Sequence, residues 1–482
     1  MLKKNLFYNF ILSVSGIIFP LITFPYSTRI LGPGGIGSVN FIDSITAYFI
    51  LFATLGIPAY GIRETAKRRN DKEALNKFCS EMLIFHFIST FIFTVFYLIA
   101  ALVLPDLKNH LNLIFIGIGI LFLNVISVEW FFIGIEKFQY ISIRSLVSKV
   151  ISVILLFVFL KKGSSSTVYY LIGASGPAIN SIYNFIIFNK YCKVKVTGLT
   201  IKKHLKPLAT IFGSSLAASV YLLMDNIILG FIKGEEEVGL YSTAVRIAKV
   251  PLALIGAISA VIIPQISFAF SKGNFDEIKS LVNKSYSYIS VAGIPIAFGL
   301  YVASSFLVHS FAGEKFIGAI IALQILSPVI ILVGLNNLFA IQILAAMDKE
   351  DLLLRSVVAG MIFSLAVNIA LIPLLSYKGA AITNLLTELV VTLVAYFYVH
   401  RHINIDITLN KKVFLQCLAG AAAFIPIAYG IRSLSLNYIL QEILVILCCI
   451  GFYLTYLWFF VKNIYIDNIK VIVLNKLRLR AA

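Results

Sequence analysis

Pro25-Tyr26-Ser27-Thr28-Arg29-Ile30-Leu31-Gly32-Pro33-Gly34-Gly35-Ile36-Gly37 closes one long apolar segment and opens another. It sets an arginine where hydrocarbon is otherwise expected. Roughly two hundred residues later the theme returns as Asp225-Asn226-Ile227-Ile228-Leu229-Gly230. An acidic insertion follows, then Val238-Gly239-Leu240-Tyr241. A chain that turns twice in this way between apolar runs reads as duplicated and membrane-embedded.

Composition supports that class. Of 482 residues 60% are hydrophobic and 13% charged, the latter about half of the roughly 25% usual in soluble domains. The net charge of +18 does not indicate nucleic acid, because the basic residues lie in short gaps between apolar runs rather than on one groove-reading face. Five cysteines, Cys79, Cys192, Cys417, Cys448 and Cys449, lack metal or CxxC spacing. Met1-Leu2-Lys3-Lys4 opens like a signal peptide, but the following run is too long and has no small-x-small cleavage site, so it is expected to stay as the first helix.

Windows of about 20 apolar residues, enough to cross about 30 Å of hydrocarbon, fall near 6–31, 38–58, 82–104, 111–134, 141–160, 167–189, 208–231, 238–268, 285–308, 316–345, 352–375, 379–399, 413–431 and 438–461. The fold class expected is therefore an all-α polytopic membrane protein of about fourteen transmembrane helices. Twelve is the alternative, since the last two windows are the weakest. Basic residues test the count: 29 Lys and Arg lie in or beside the gaps on one side and 8 on the other. By the positive-inside rule both termini are cytoplasmic. No gap has room for a soluble domain, so a polymerase or glycosyltransferase reading loses its catalytic loop and a transporter reading gains.

Further landmarks recur in order. Leu123-Asn124 is matched by Leu335-Asn336, Arg144-Ser145 by Arg355-Ser356, and Gly176-Pro177-Ala178-Ile179 by Gly379-Ala380-Ala381-Ile382. Six helices intervene, an even number, so the copies form a parallel repeat. The expected organisation is an N-lobe over 1–207, a C-lobe over 208–410, and two further helices with a basic cytoplasmic tail over 411–482.

PYSTRILGPGGIG at 25–37, Tyr60-Gly61-Ile62-Arg63-Glu64, and Val128-Glu129-Trp130-Phe131-Phe132-Ile133-Gly134-Ile135-Glu136-Lys137-Phe138 resemble the bacterial Wzx-type polysaccharide flippases. These belong to the superfamily that also holds MATE drug exporters and lipid II flippases. The resemblance implies two six-helix lobes in a V around a cavity of alternating access. It also implies a substrate of lipid-linked sugar repeat units, destined for O-antigen, capsule or exopolysaccharide, and a place in the bacterial cytoplasmic membrane. A MATE-like drug exporter, a lipid II-type flippase and a scaffold for a sugar-assembly complex are the alternatives.

Ionisable residues within spans cost about 2.5 to 3.5 kcal/mol each at mid-membrane and so face partners or water. Arg29, Arg246, Lys249 and Lys149 are the candidates for a basic cavity that grips a diphosphate, since guanidinium pairs bidentately with phosphate oxygens. The plainer reading is neutralised pairs within each lobe. Asp43, Asp225 and Glu388 are candidate pairing or coupling acids. Asp225 and Arg246 are expected at similar depth on successive helices, with H⁺ or Na⁺ as the coupling ion. Arg63, Glu64, Glu129 and Glu136 fall at the cytoplasmic boundary, where an interfacial or gating role is expected. No catalytic, metal or cofactor motif occurs: there is no P-loop, zinc spacing or nucleophile elbow. Membrane lipids and sugar-polymer enzymes are the expected partners.

Overall fold

The computed structural model describes residues 2–403 and 409–461, and among them every regular element is a helix. The basic tail expected at the end of 411–482 lies outside the described residues from position 462 on. Eleven helices are long and apolar enough to cross a membrane, or twelve if Lys202–Val220 and Leu223–Lys233, bent by 52°, make one span. Large apolar side chains such as Phe87, Phe91, Leu102, Phe159 and Leu374 point outward. That arrangement suits lipid rather than water.

Two helices, Leu2–Thr54 and Glu350–His402, have 53 residues each. At 1.5 Å per residue each would run about 80 Å, far beyond one bilayer. Both are broken in the middle. Gly32 has φ 68°, ψ −178° and Ser376 has φ 55°, ψ −136°. The first conformation is essentially open only to glycine, so the sequence places it where no side chain interferes. Gly32 and Ser376 divide each long helix into two arms.

The chain divides into two compact units, Met1–Gly239 and Leu240–Ala482. Helix Lys202–Lys233 is built into the first of these. Gly230 lies against the Phe41 ring, which a Cβ would meet at 2.2 Å, and Phe41 stands edge-on to Phe231 at 5.1 Å. Asn226 Nδ2 donates to Ser44 Oγ at 3.2 Å, and the Tyr48 hydroxyl donates to the Ser219 carbonyl. The first packed unit therefore ends at Gly239, beyond position 207, the expected end of the N-lobe.

The break at Gly32 has a conformational counterpart beyond helix Lys202–Lys233. The conformation of Gly32 recurs at Gly234, φ 90°, ψ 179°, an offset of 202 that agrees with the 203 separating Gly176 from Gly379. The sequence pairing of Gly32 with Gly230 is four residues short of this. The acidic insertion explains the slip: Glu235, Glu236 and Glu237 form the first turn of helix Glu235–Lys249, where carboxylates oppose the positive end of the helix dipole. The two turns also touch. A Cβ on Gly37 would lie 1.7 Å from the Glu235 carbonyl oxygen, and one on Gly239 2.0 Å from the Pro33 carbonyl oxygen. The imidazole of His110 pairs with Glu235 beside them.

The eighth window is two helices, Glu235–Lys249, which begins in the first unit, and Leu252–Ser271, broken at Pro251. Two π-helical stretches, Ile289–Gly293 and Asn337–Leu344, interrupt the following spans. Such bulges loosen the regular ladder and let a helix bend. Helices Lys411–Arg432 and Tyr438–Phe460 are both apolar enough to cross. Arg432 joins them through Nε and Nη2 to the two Glu442 carboxylate oxygens at 2.7 and 2.8 Å, and Nη2 also reaches the Val302 carbonyl at 2.8 Å. Glu442 is buried, so its charge is matched by a planar two-pronged partner.

The glycine turns generate a prediction. Gly37→Val and Gly239→Val should each lower stability by about 2 to 3 kcal/mol through overpacking against backbone that cannot yield. Gly34→Ala, which meets nothing within 4 Å, should change it by no more than about 0.5 kcal/mol. Thermal unfolding in detergent checks this, and equal midpoints for Gly37→Val and Gly34→Ala would refute it.

Candidate functional site

Of the in-span charges, Arg29, Asp43 and Asp225 belong to the first unit and Arg246, Lys249 and Glu388 to the second. Arg29 is exposed on the first arm, its Nη1 donating to the Pro25 carbonyl at 3.3 Å. Asp43 is exposed on the second arm and accepts from the Tyr170 hydroxyl at 3.2 Å. That hydroxyl also lies 3.5 Å from Thr46 Oγ1, which meets the Tyr97 hydroxyl at 2.8 Å. Gly117 makes room for this chain, because a Cβ there would come 2.5 Å from Thr46 Oγ1. Four helices thus converge on a polar string inside the first unit, ending at an exposed carboxylate.

Asp225 is buried at 3% exposure. Arg246 is half-buried and Lys249 exposed, three residues apart near the end of Glu235–Lys249, so both project from one face. Glu388 is buried on the second arm of Glu350–His402. Lys149 is drawn elsewhere in the first unit: its Nζ donates to Ser15 Oγ at 2.8 Å. Ser15 precedes Arg29 by fourteen residues, about 21 Å along a helix. Lys149 and Arg29 therefore do not share one grip.

The boundary residues are packed together. Gly61 faces Trp130, whose ring a Cβ would meet at 2.7 Å, and Gly134 faces Thr65 at the same distance. The segments Tyr60–Glu64 and Val128–Phe138 are thus two halves of one contact. Glu64 is buried among bases of its own helix: Arg63 Nε stands at 3.4 Å, Lys67 Nζ at 3.0 Å, and Arg68 bonds its other oxygen. Arg63 lies over the Tyr60 ring and Arg68 over Phe78. Glu136 pairs with Arg69 at 2.8 Å. Glu129 is exposed, 3.7 Å from Arg144. Arg144 is itself buried and bonded to the Asn184 amide oxygen, while the Asn184 amide nitrogen donates to the Ser127 carbonyl.

One cluster has no counterpart among the sequence candidates. Glu81, 1% exposed, accepts from His204 Nε2 at 2.8 Å, Lys203 Nζ at 3.0 Å, and the Thr200 backbone N–H and hydroxyl at 2.9 Å each. His204 is 2% exposed and its Nδ1 meets the Tyr60 hydroxyl at 2.7 Å. Helix Ile57–Arg68 is thereby tied to the start of helix Lys202–Lys233. Glu81 was detectable as the single acid beyond the opening turn of an apolar helix. Its partner, 123 residues away in a run of lysines, carried no signal.

These motif segments lie within a stretch, residues 2–270, that matches the family model described as polysaccharide biosynthesis protein. The chain belongs to that family. It is also 27% identical over 404 residues to a candidate O-antigen transporter of Escherichia coli (strain K12), covering 83% of this chain and 97% of that one. A candidate low-salt glycan biosynthesis flippase of Haloferax volcanii is 26% identical across 46% of each chain. Among solved structures, a lipid II flippase MurJ in an inward closed conformation superposes with TM-score 0.73 at 16% identity, over 94% of this chain and 98% of that one. An inward-facing multidrug resistance MATE transporter gives 0.62 at 15% identity over 79% and 92%. The fold of this multi-pass membrane protein is the one these transporters share.

Glu81→Ala should cost about 3 kcal/mol or more, because it strips a buried histidine of its hydrogen-bond partner, Lys203 of its ion partner and a loop of its anchor. Thermal unfolding measures it. An unchanged midpoint would show that the cluster carries no stability.

Proposed function

We propose that this protein is a flippase that moves lipid-linked oligosaccharide repeat units from the cytoplasmic to the outer leaflet of the bacterial cytoplasmic membrane, by transport and not by catalysis. The observation that carries the reading is the end-to-end likeness to a candidate O-antigen transporter, 97% of whose length is covered. The chemistry of the in-span charges fits it. Arg29 and Lys249 are exposed and Arg246 half-buried, cationic groups of the kind that a diphosphate at the sugar–lipid junction requires. Lys149, held by Ser15, has a separate place along the path. Asp43, with its tyrosine string, and the buried Asp225 and Glu388 are the acids from which H⁺ or Na⁺ coupling would be built. Arg63, Glu64 and Glu129 belong to the tightly packed cytoplasmic end. Polymerases and glycosyltransferases are the expected neighbours.

Each arm of the two long helices is proposed to cross once, which makes fourteen crossings with both termini in the cytoplasm, arranged as lobes over 1–207 and 208–410 and a pair of helices over 411–482. Single cysteines at Ser165 and Asn437 should react with an impermeant thiol reagent from outside and one at Asn70 should not; labelling of Asn70 in intact cells overturns the topology.

Deleting the gene should accumulate complete lipid-linked repeat units on the cytoplasmic side. The variant Arg29→Ala/Arg246→Ala should fail to clear them while inserting normally, and Arg→Lys should restore export only in part, because the planar fork is lost. Full export by the double alanine variant would refute the diphosphate site. Asp225→Asn in proteoliposomes should leave flipping insensitive to an imposed pH or Na⁺ gradient, since the amide keeps the size of the buried side chain but removes the charge that a cation would neutralise. Unchanged gradient dependence would make Asp225 structural.

A further inference from the structure

Between helix Ser166–Tyr191 and helix Lys202–Lys233 the chain runs without helix, and this strap is held open rather than left slack. The Lys193 N–H donates to Asn76 Oδ1 at 3.1 Å, the Lys195 N–H to Ser80 Oγ at 2.9 Å, and the Thr200 N–H to Glu81 Oε1 at 2.9 Å. Two successive turns of helix Lys72–Val103, one at Asn76 and the next at Ser80 and Glu81, thus take up the backbone of the strap. Apart from the buried Cys192, most of its side chains are left outside. Val196 is 76% exposed and Tyr191, Val194 and Leu205 are 40 to 46% exposed.

A free loop would fold such residues inward; a pinned one cannot. Lysines alternate with them. Residues 190–206 contain six lysines and no aspartate or glutamate. Lys203 is neutralised by Glu81, while Lys190, Lys193, Lys195, Lys202 and Lys206 are exposed and have no acid within ion-pair distance among the described residues. Apolar groups interleaved with lysines, at the ends of two membrane-spanning helices, match a surface where acyl chains give way to phosphates.

We propose that residues 190–206 are a docking strap for anionic phospholipid headgroups of the cytoplasmic leaflet, with Lys193 and Lys195 on phosphate and Val194 and Val196 below it. The occupant is lipid rather than soluble phosphate because an ion alone would leave the valines in water. The inference rests on the proposed cytoplasmic side of this segment.

The test uses the full chain with Cys448→Ser, which removes the one exposed cysteine, and Val196→Cys carrying a polarity-sensitive fluorophore. In nanodiscs of phosphatidylcholine the label should report water. Added phosphatidylglycerol should shift its emission to the blue, and about 0.5 M salt should reverse the shift, as screening of surface charge demands. Lys193→Gln/Lys195→Gln should raise the phosphatidylglycerol needed by about 30-fold, at roughly fivefold per lysine. That variant keeps the strap pinned, because only the backbone N–H groups of these residues bond to the helix. An emission independent of phosphatidylglycerol, or an unmoved midpoint in the double variant, overturns the proposal. Labelling of Val196→Cys by an impermeant reagent outside intact cells overturns the side assignment instead, and leaves the nanodisc result to stand on its own.

Discussion

Hydrocarbon offers no partner to a peptide group, so a chain that crosses it must close every backbone hydrogen bond upon itself. Each place where the helix stops is then a decision that the sequence has to make stereochemically. Here it is made at Gly32, Gly234 and Gly313, which share φ between 68° and 90° and extended ψ. A residue with a Cβ resists that geometry, whereas glycine takes it at no steric cost. Pro33 follows the first break at once, where its missing N–H belongs to the unpaired opening turn of the next helix. The acidic triplet after Gly234 does the same work electrostatically. Two different chemistries thus start helices after the same backbone conformation.

The same absence of side chain does a second job. In a lipid medium helices gain little from apolar contact as such, and close approach of backbones substitutes for it. Gly37 and Gly239 let two turns meet backbone to backbone, and Gly61 and Gly134 let the two motif segments interlock around Trp130 and Thr65. The motifs on which the family resemblance rests are therefore largely a packing code, with Glu64 and its three bases set into the seam.

How much could be read in advance follows from the range of each signal. Apolar windows and charge bias are local, and they located the helical segments and the excess of bases in the gaps. The resemblance carried by residues 25–37, 60–64 and 128–138 pointed to the right family. What escaped was set by tertiary contact. The break at Pro251 within one apolar window and the four-residue slip of register depend on turn geometry. The Glu81–His204–Tyr60 chain depends on partners more than a hundred residues apart. Lys149 looked like a companion of Arg29 because both sit within apolar runs, yet depth along the helix separates them by about four turns. Nothing in spacing alone distinguishes a base that faces water from one satisfied by a serine.

That distinction divides the charges into two populations. Arg144, Glu81, His204 and Glu442 are buried and matched by specific neighbours, which is the state in which a charge serves as a rivet. Arg29 and Asp43 remain exposed on the two arms of the first long helix, and Lys249 at the end of a helix that is not itself an apolar span. Burial with partners lowers the cost of a charge by fixing it in one arrangement, whereas exposure lowers it only where water or a polar ligand reaches.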